Sequence, residues 1–556
     1  MPLVECVPNF SEGRDRALID AITAEIAGTP GAMLLDVDPG AATHRTVVTF
    51  VGTPEAAEEA AFRAIRKAAS LIDMARHRGE HPRMGATDVC PFVPVDGITM
   101  EECAAIARRL GKRVGEELGI PVYLYEAAAS RPERRSLADI RKGEYEGLAD
   151  KLKDASWAPD FGPAKMNARS GATVIGAREF LIAWNVNLNT RDKKAANVIA
   201  QEIREAGKPK RGPDGKILKD ANGESVKIPG RFKECRAVGW YIDEYGRAQV
   251  SINLTNWKVT PMHAVFDVCR EEAAKIGLRV TGSELVGLIP LQALLAAGDH
   301  YLAMQGRTAG VPERERLHTA ILSLGLAELG PFDPVSKIVE YRYRGAPKGL
   351  AAMRLTEFAD ELSSDSPAPG GGSVAALCAS LSAALTAMVA ALTWQKAGME
   401  SARPSMQHTG NEAQALKDWF MGAVDRDTEA FNAVLGAMRL PKKSAEEQKF
   451  RAGAMECANR GAALVPLEVA ERGVRALELA LVAAREGNPN SASDAGVAGA
   501  CGAAAVEGAV LNVRINAPSI TDEQVRAEFL SRGRAALEKS RALAADVRAA
   551  VDRHIA

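Results

Sequence analysis

Three of the eight histidines in this 556-residue chain, His44, His77 and His81, fall close together, two of them in RHRGEHPRMG at 76–85. Imidazole titrates near neutrality, so a histidine on a Gly/Pro-shaped turn flanked by Glu80, Arg83 and Asp88 suits proton transfer on a charged substrate, or else pins the turn. The spacing of four between His77 and His81 is that of half a zinc site, but Gly79 and Pro82 oppose the helix that would align both rings, so no metal is expected. In DVDPGAATHRT (36–46) Asp36, Asp38 and Arg45 surround a hairpin-like bend, either as an ion pair or as a clamp for an amidine and a carboxylate. The loop FGPAKMNARSGAT (161–173) carries Lys165 and Arg169 ahead of a strand. It lacks the ending of a P-loop and opens no helix, which disfavours nucleotide phosphate and leaves an anionic or heteroaromatic ligand.

Further on, SPAPGGGSV (366–374) runs straight into an uncharged helix, where free N–H groups favour an anion or the glycines serve close packing. Leu416, Phe420, Val424, Phe431, Leu435 and Met438 follow three- and four-residue steps, and the position completing that apolar stripe is Asp427; Asp425 falls off it. An unpaired carboxylate on a buried face is costly, so Asp427 is expected to be partnered, protonated or functional. Asp494, in GNPNSASDAGVA (487–498), is a second acid before an Ala/Gly-rich helix, with a helix cap as the plainer reading.

The elements that must position these residues differ between the two parts of the chain. All eight tyrosines precede residue 345, whereas 49 of the 206 residues from Ala351 onward are alanine. Before that change, strand-like LVECVP, a helix from about Arg14, strand-like AMLLDVD and TVVTFVG, a helix over 55–71 and strand-like DVCPFVPV read as β-α-β-β-α-β, the split βαβ arrangement. A similar alternation follows Gly171: GATVIGA, FLIAWNVNL, a helix near 193–206, the hairpin GWYID/AQVSINL, a helix near 263–275, and ELVGLIP. The fold class expected is therefore multidomain. Two tandem α+β, split-βαβ-like subdomains (1–180 and 181–341) have a ligand crevice between them, then come a linker (342–350) and an all-α helical domain (351–556). The lysine-rich excursion 208–233 reads as a solvated hairpin or a polyanion-binding arm.

Seventy basic residues nearly balance 71 acidic ones, which disfavours a nucleic-acid-binding surface along the whole chain. Eight cysteines without a CxxC pair give no disulfide framework, and the N-terminus shows no export signal, so a cytoplasmic enzyme is expected. The uncharged stretch 366–395 is mostly Ala, Ser and Thr and reads as a buried core helix, not a membrane span.

VPNFSEG (7–13), LLDVDPG (34–40), GEHPRMGATDV (79–89), GATVIGAR (171–178) and SPAPGGGSVA (366–375), in this order along nearly the whole chain, resemble the formimidoyltransferase–cyclodeaminase family. The resemblance implies two successive steps of histidine breakdown. The formimino group passes from N-formimino-L-glutamate to N5 of tetrahydrofolate, and 5-formiminotetrahydrofolate then closes to 5,10-methenyltetrahydrofolate with loss of ammonia. It places the transferase histidine on His81 and the cyclodeaminase aspartate on Asp427. The folate loop falls on Gly162, Pro163, Ala164, Lys165, Met166, Asn167, Ala168, Arg169, Ser170 and Gly171. Asp38 and Arg45 are then candidates for holding the amidinium and a glutamate carboxylate, and Gly371, Gly372 and Ser373 for lining the second site. Tetrahydrofolate, polyglutamylated, is the implied co-substrate, with no metal, and a homo-oligomer, an octamer, is the implied assembly. The competing reading keeps an active transferase and makes the helical part an assembly scaffold.

Overall fold

The computed structural model describes residues 2–555 apart from 42, 80–81, 221–222, 345–348 and 367, so His81 and Glu80 lie outside the described residues, as does part of the expected linker. Two compact units result, one of residues 1–294 with 321–345, the other of 295–320 with 346–556.

The first unit begins with β1 (Leu3–Cys6), β2 (Asn9–Phe10), α1 (Arg16–Ala27), β3 (Ala32–Gly40), β4 (Arg45–Gly52), α2 (Pro54–Leu71) and β5 (Thr87–Asp96). β1 and β2 are two pieces of one line broken at Val7–Pro8, both lying antiparallel between β4 and β5, with β3 outside β4. The spatial order β5-β1-β4-β3 is that of the split βαβ motif expected from the sequence. Helix α3 (Met100–Leu118) then leads to β6 (Val122–Glu126); past the one-turn helices α4 (Leu137–Ile140) and α5 (Leu148–Lys151) comes β7 (Thr173–Ala177). β7 pairs parallel with both β5 and β6, so GATVIGA closes the first sheet and does not open the second subdomain. The alternation in that stretch cannot distinguish the two, because a strand buried in either sheet has the same pattern.

Local signals set these helices. Thr53 caps α2 with Pro54 at its first position, and Thr99 and Glu102 close a capping box on α3. The alanine face of α2 and the small face of α3 pack on Val4, Cys6, Phe50 and Phe92, and Ile140, Leu148 and Leu152 cover the other face at Val89, Tyr123 and Val174.

The second subdomain runs β8 (Ile182–Leu188), α6 (Lys193–Ile203), β9 (Lys208–Pro209), β10 (Lys227–Ile228), β11 (Cys235–Ile242), β12 (Arg247–Leu254), α7 (Met262–Lys275) and β13 (Val280–Val286). Its order β13-β8-β12-β11 repeats the first motif, and β9 pairs only with β10, making 208–233 an exposed hairpin. Helices α8 (Leu291–Met304), α9 (Glu313–Leu324), α10 (Pro334–Lys337) and α11 (Val339–Arg344) follow.

The second unit is helical: α12 (Leu355–Leu362), α13 (Gly371–Gln395), α14 (Arg403–Met438), α15 (Ala445–Glu486), α16 (Ala492–Asn516) and α17 (Glu523–Ile555). Alanines along α13 meet α14, α15 and α16 in one core. Small side chains let the backbones approach, which is why this half is alanine-rich. Gly371–Gln395 and Pro489–Ser519 are long and apolar enough to cross a bilayer, and 56% and 44% of their most apolar windows are buried among the other helices. Pro466 lies inside α15 and cannot donate to Ala462 O; Asn516 Nδ2 donates there instead, at 2.8 Å. Residues 306–310 belong to this unit, with Trp394 Nε1 donating to Gly306 O (3.0 Å) and Thr308 Oγ1 to Gln407 Oε1 (2.9 Å).

Candidate functional sites

In the first unit three segments converge at one end of the first sheet: the turn 41–45, the stretch 74–85 and the loop 162–172. The loop is laced to the stretch by backbone bonds: Met74 N to Arg169 O (2.9 Å), Ala86 N to Ser170 O (2.8 Å) and Ala172 N to Met84 O (3.0 Å). Gly171 is required there, since its φ is +65° and a Cβ would sit 2.1 Å from Met84 O. Within the loop Asn167 Oδ1 accepts from Ser170 N and Tyr145 OH donates to Ala168 O, while Gly162, Pro163, Ala164 and Lys165 are exposed and Met166 is half-buried.

The turn joins the stretch through two imidazoles. His77 donates from Nε2 to His44 O (2.8 Å), its Nδ1 accepts from Arg83 Nε (3.3 Å), and the two rings stack at 4.5 Å. Both ring nitrogens of His77 are therefore occupied, which removes it as a metal ligand. Among the described residues no group of three or more His, Cys, Asp and Glu could hold a metal. Burial pushes the pKa of both His44 and His77 down, so the stacked pair is neutral at pH 7. Glu12 Oε1 accepts from the backbone N–H groups of Gly13, Arg14 and Asp15, and Gly13 N also reaches His44 Nδ1 at 3.1 Å.

Arg83 and Asp88, expected to orient a substrate, are struts. Arg83 is forked onto Glu146 (both bonds 2.7 Å) and reaches Glu144, while Asp88 is fully buried, accepting from Met84 N (3.0 Å) and gripping Arg141. A buried ion is tolerated only when paired in this way, so these two charges tie residues 83–88 to 141–146. Arg45 donates to Asn9 Oδ1, and burial draws its pKa down to about 10 despite the charge of Asp88 nearby. Asp38 is exposed on β3, two residues from Gly40, which pairs with Arg45. Asn9, Glu12 and Arg141 were missed by sequence reasoning. The first two lie in the quoted VPNFSEG block, whereas nothing in the spacing marks Arg141.

In the second unit Asp427 on α14 faces the start of α13. Ser373 Oγ donates to Val424 O (3.0 Å) and to Asp427 Oδ2 (3.1 Å), and Gly372 lies so close that a Cβ would be 2.1 Å from Asp427 Oδ1. Burial raises the Asp427 pKa, opposed by the hydroxyl and backbone bonds from Ser373. Asn512 on α16 reaches the same helix start, its Nδ2 3.4 Å from a Cβ placed on Gly371. A carboxylate, two glycines, a hydroxyl and an amide thus meet at the free N–H groups of one helix end, an arrangement able to take a proton and to stabilise charge. The apolar stripe around Asp427 is buried only through Val424: Phe431 and Leu435 are half-buried and Met438 is 51% exposed, because α14 runs on beyond the bundle. Asp425 accepts from Leu350 N (2.6 Å), anchoring the start of the unit. Asp494 belongs to the opposite end of α13: its helix follows Asn488, whose N donates to Thr393 Oγ1, about 33 Å along α13 from Gly371 at the usual helical rise.

The sequence models of three related domains cover the chain. The formiminotransferase domain, N-terminal subdomain, matches residues 3–178, the formiminotransferase domain 183–344 and formiminotransferase-cyclodeaminase 354–535. The formimidoyltransferase-cyclodeaminase of Mus musculus is 44% identical over 545 residues, 98% of this chain and 97% of its own. That of Sus scrofa is 45% identical over 551 residues, again 98% and 97%. The glutamate formimidoyltransferase of Streptococcus pyogenes is 42% identical over 303 residues, 54% of this chain and 94% of its own. With both halves matched in order and end to end, the chain belongs to the formimidoyltransferase-cyclodeaminase family.

Proposed function

We propose that the chain is a bifunctional folate enzyme, moving the formimino group of N-formimino-L-glutamate to N5 of tetrahydrofolate and then closing the product to 5,10-methenyltetrahydrofolate with release of ammonia. The observation that carries this is the full-length match to enzymes named for both activities, on a chain with one polar site in each unit.

In the first reaction N5 adds to the formimino carbon, and the tetrahedral adduct collapses as the glutamate nitrogen leaves. N5 must lose a proton and the leaving nitrogen must gain one, a pair of transfers suited to one histidine of near-neutral pKa, assigned here to His81. The neutral His44–His77 stack and the Arg83–Glu146 fork fix residues on either side of His81 in the sequence, and the bonded loop Gly162–Gly171 is the folate-binding segment of this reading. Asp38 and Arg45 orient the donor's amidinium and a carboxylate. In the second reaction N10 attacks the same carbon while ammonia departs. Asp427, with a carboxyl pKa raised by burial, takes the N10 proton and hands it to the departing nitrogen, and the hydroxyl and backbone N–H of Ser373 fix its orientation beside Gly371 and Gly372.

Tetrahydrofolate, polyglutamylated, is the co-substrate of this reading and no metal takes part in it. The enzyme works in the cytoplasm as a homo-oligomer, without nucleic acid or a membrane span. Unpaired cysteines support the reducing compartment, and exposed Leu381, Val497, Leu511 and Ile515 on α13 and α16 support self-association. The test follows methenyl absorbance and ammonia together after mixing the protein with both substrates. Equal amounts are expected, with His81→Ala stopping both and Asp427→Ala stopping the process at 5-formiminotetrahydrofolate. Glutamate release without either product would limit the activity to the transferase and leave the helical unit as a scaffold.

A further inference from the structure

Asn512 has no part in the proton transfers assigned to Asp427, yet it stands at the same helix start. It lies on α16 where that helix passes the beginning of α13, and small residues bring the two close: a Cβ on Gly508 would lie 3.3 Å from the Ala375 Cβ, and a Cβ on Gly371 would lie 3.4 Å from Asn512 Nδ2. One turn back on its own helix, Gly508 O accepts from Asn512 Nδ2 at 2.8 Å. That bond sets the amide. With the nitrogen end committed, the amide plane cannot turn over without losing the bond, and Oδ1 remains as an acceptor that no donor among the described residues engages, on a half-buried side chain.

Asp427 reaches this place from another helix. Its Oδ1 lies against Gly372, the next residue of α13, while its Oδ2 accepts from Ser373 Oγ at 3.1 Å. An acid from α14 and an amide from α16 therefore stand over consecutive glycines, the first two residues of α13, whose N–H groups find no acceptor within the helix. The arrangement offers a reacting group two different oxygens. One can exchange a proton, and the other can only accept a hydrogen bond.

Ring closure has a use for both. The formimino group enters as an amidinium, N5–CH=NH2+; N10 adds to its carbon, the N10 proton passes by way of Asp427 to the NH2 group, and the C–N bond breaks to give ammonia and the methenyl cation. Atoms and charge balance without a further reactant. Throughout, the departing nitrogen carries at least two N–H bonds, and an acceptor that does not take their proton holds the nitrogen with its lone pair turned to the acid. We propose that Asn512 Oδ1 accepts a hydrogen bond from the formimino nitrogen and is a catalytic residue of ring closure, selecting nitrogen over oxygen at that position. The inference rests on the function proposed above and deepens its second step. A 5-formyl group has nearly the same shape but presents an oxygen there, which would set two acceptors against each other.

The experiment uses the full chain with Asn512→Leu, which keeps the size of the side chain and removes the acceptor, beside Asn512→Ala and the acceptor-keeping Asn512→Asp. Ring closure is followed by methenyl absorbance from supplied 5-formiminotetrahydrofolate, with 5-formyltetrahydrofolate titrated as its inhibitor, and the melting temperature and formimino transfer report that the chain is folded. The expected result is a fall of about 10- to 100-fold in kcat/KM for Asn512→Leu and Asn512→Ala, a smaller fall for Asn512→Asp, and an inhibition constant for the formyl compound that stays within about twofold or drops. Ring closure unchanged in Asn512→Leu and Asn512→Ala overturns the proposal. So does an inhibition constant that rises in step with the lost rate, since the amide then holds the folate and does not read its nitrogen. Should the unaltered protein leave 5-formiminotetrahydrofolate unconverted, the second step of the proposed function fails by itself. Calorimetry with the formimino and formyl compounds then reads Asn512 alone: a preference for the formimino compound that vanishes in Asn512→Leu supports the inference, and identical titrations of the two proteins overturn it.

Discussion

Replacing Glu5 by Gln should make the protein more stable at neutral and alkaline pH, although it removes a charged group from a site next to an arginine. Glu5 is 2% exposed in the middle of β1, and its carboxyl titrates at about 8 against 4.5 for the ordinary group. A folded-state pKa raised in this way means that the folded chain binds the extra proton between those two values. Stability from this group is complete below 4.5 and is lost as pH rises towards 8. At 1.36 kcal/mol per unit, keeping Glu5 protonated at pH 7 costs about 1.36 × (7 − 4.5), roughly 3 kcal/mol. Gln has nearly the shape of the protonated acid and pays none of that. Calorimetric unfolding of the full chain at pH 5, 7 and 8 should show the variant's advantage growing from under about 1 kcal/mol to roughly 3–4 kcal/mol, several degrees in Tm. If Glu5→Gln instead melts lower at pH 8, Glu5 is ionised and paired with Arg178, and burial does not govern its titration.

Asp427→Asn should lower the ring-closing rate by about 10²–10⁴ while formimino transfer proceeds, read by accumulation of 5-formiminotetrahydrofolate, and the acid limb of the wild-type ring-closure profile should lie above the ordinary carboxylate range. Gly372→Ala should reproduce much of that loss, on the order of 10²-fold, with little change in melting, since the new methyl must displace the Asp427 carboxylate. Lowering pH below 6.5 should destabilise the first unit, because the unfolded chain protonates His44 and His77 more readily than the folded one; His77→Gln should flatten that slope in unfolding measured from pH 7 to 5. Asn516→Ala leaves Ala462 O without its donor and should cost about 1 kcal/mol in denaturant unfolding of the helical unit.

Much of this was legible in the residues. Alternating strands around 3–6, 32–40, 45–52 and 87–96 give the first split βαβ unit because each face of a pleated strand repeats every second residue. Asp427 was found because it interrupts an apolar series on one helix face. Long-range choices were not legible. β7 could have joined either sheet, and the burial of Arg83 and Asp88 depends on Glu146 and Arg141, more than fifty residues away in sequence.

The assignment of residues 295–320 to the helical unit means that the polypeptide passes between the two units three times, after Leu294, Ala320 and Gly345. A gene fission or a truncation near residue 345 would therefore strand a segment on the wrong fragment. The C-terminal piece would lose the partners of Trp394 and Gln407, and the N-terminal piece would carry parts of α8 and α9 whose packing partners in this chain lie on the other fragment. Separating the two activities by cutting the chain tests this borrowed segment as much as it tests either active site, so point substitutions in the intact chain are the cleaner way to assign each step.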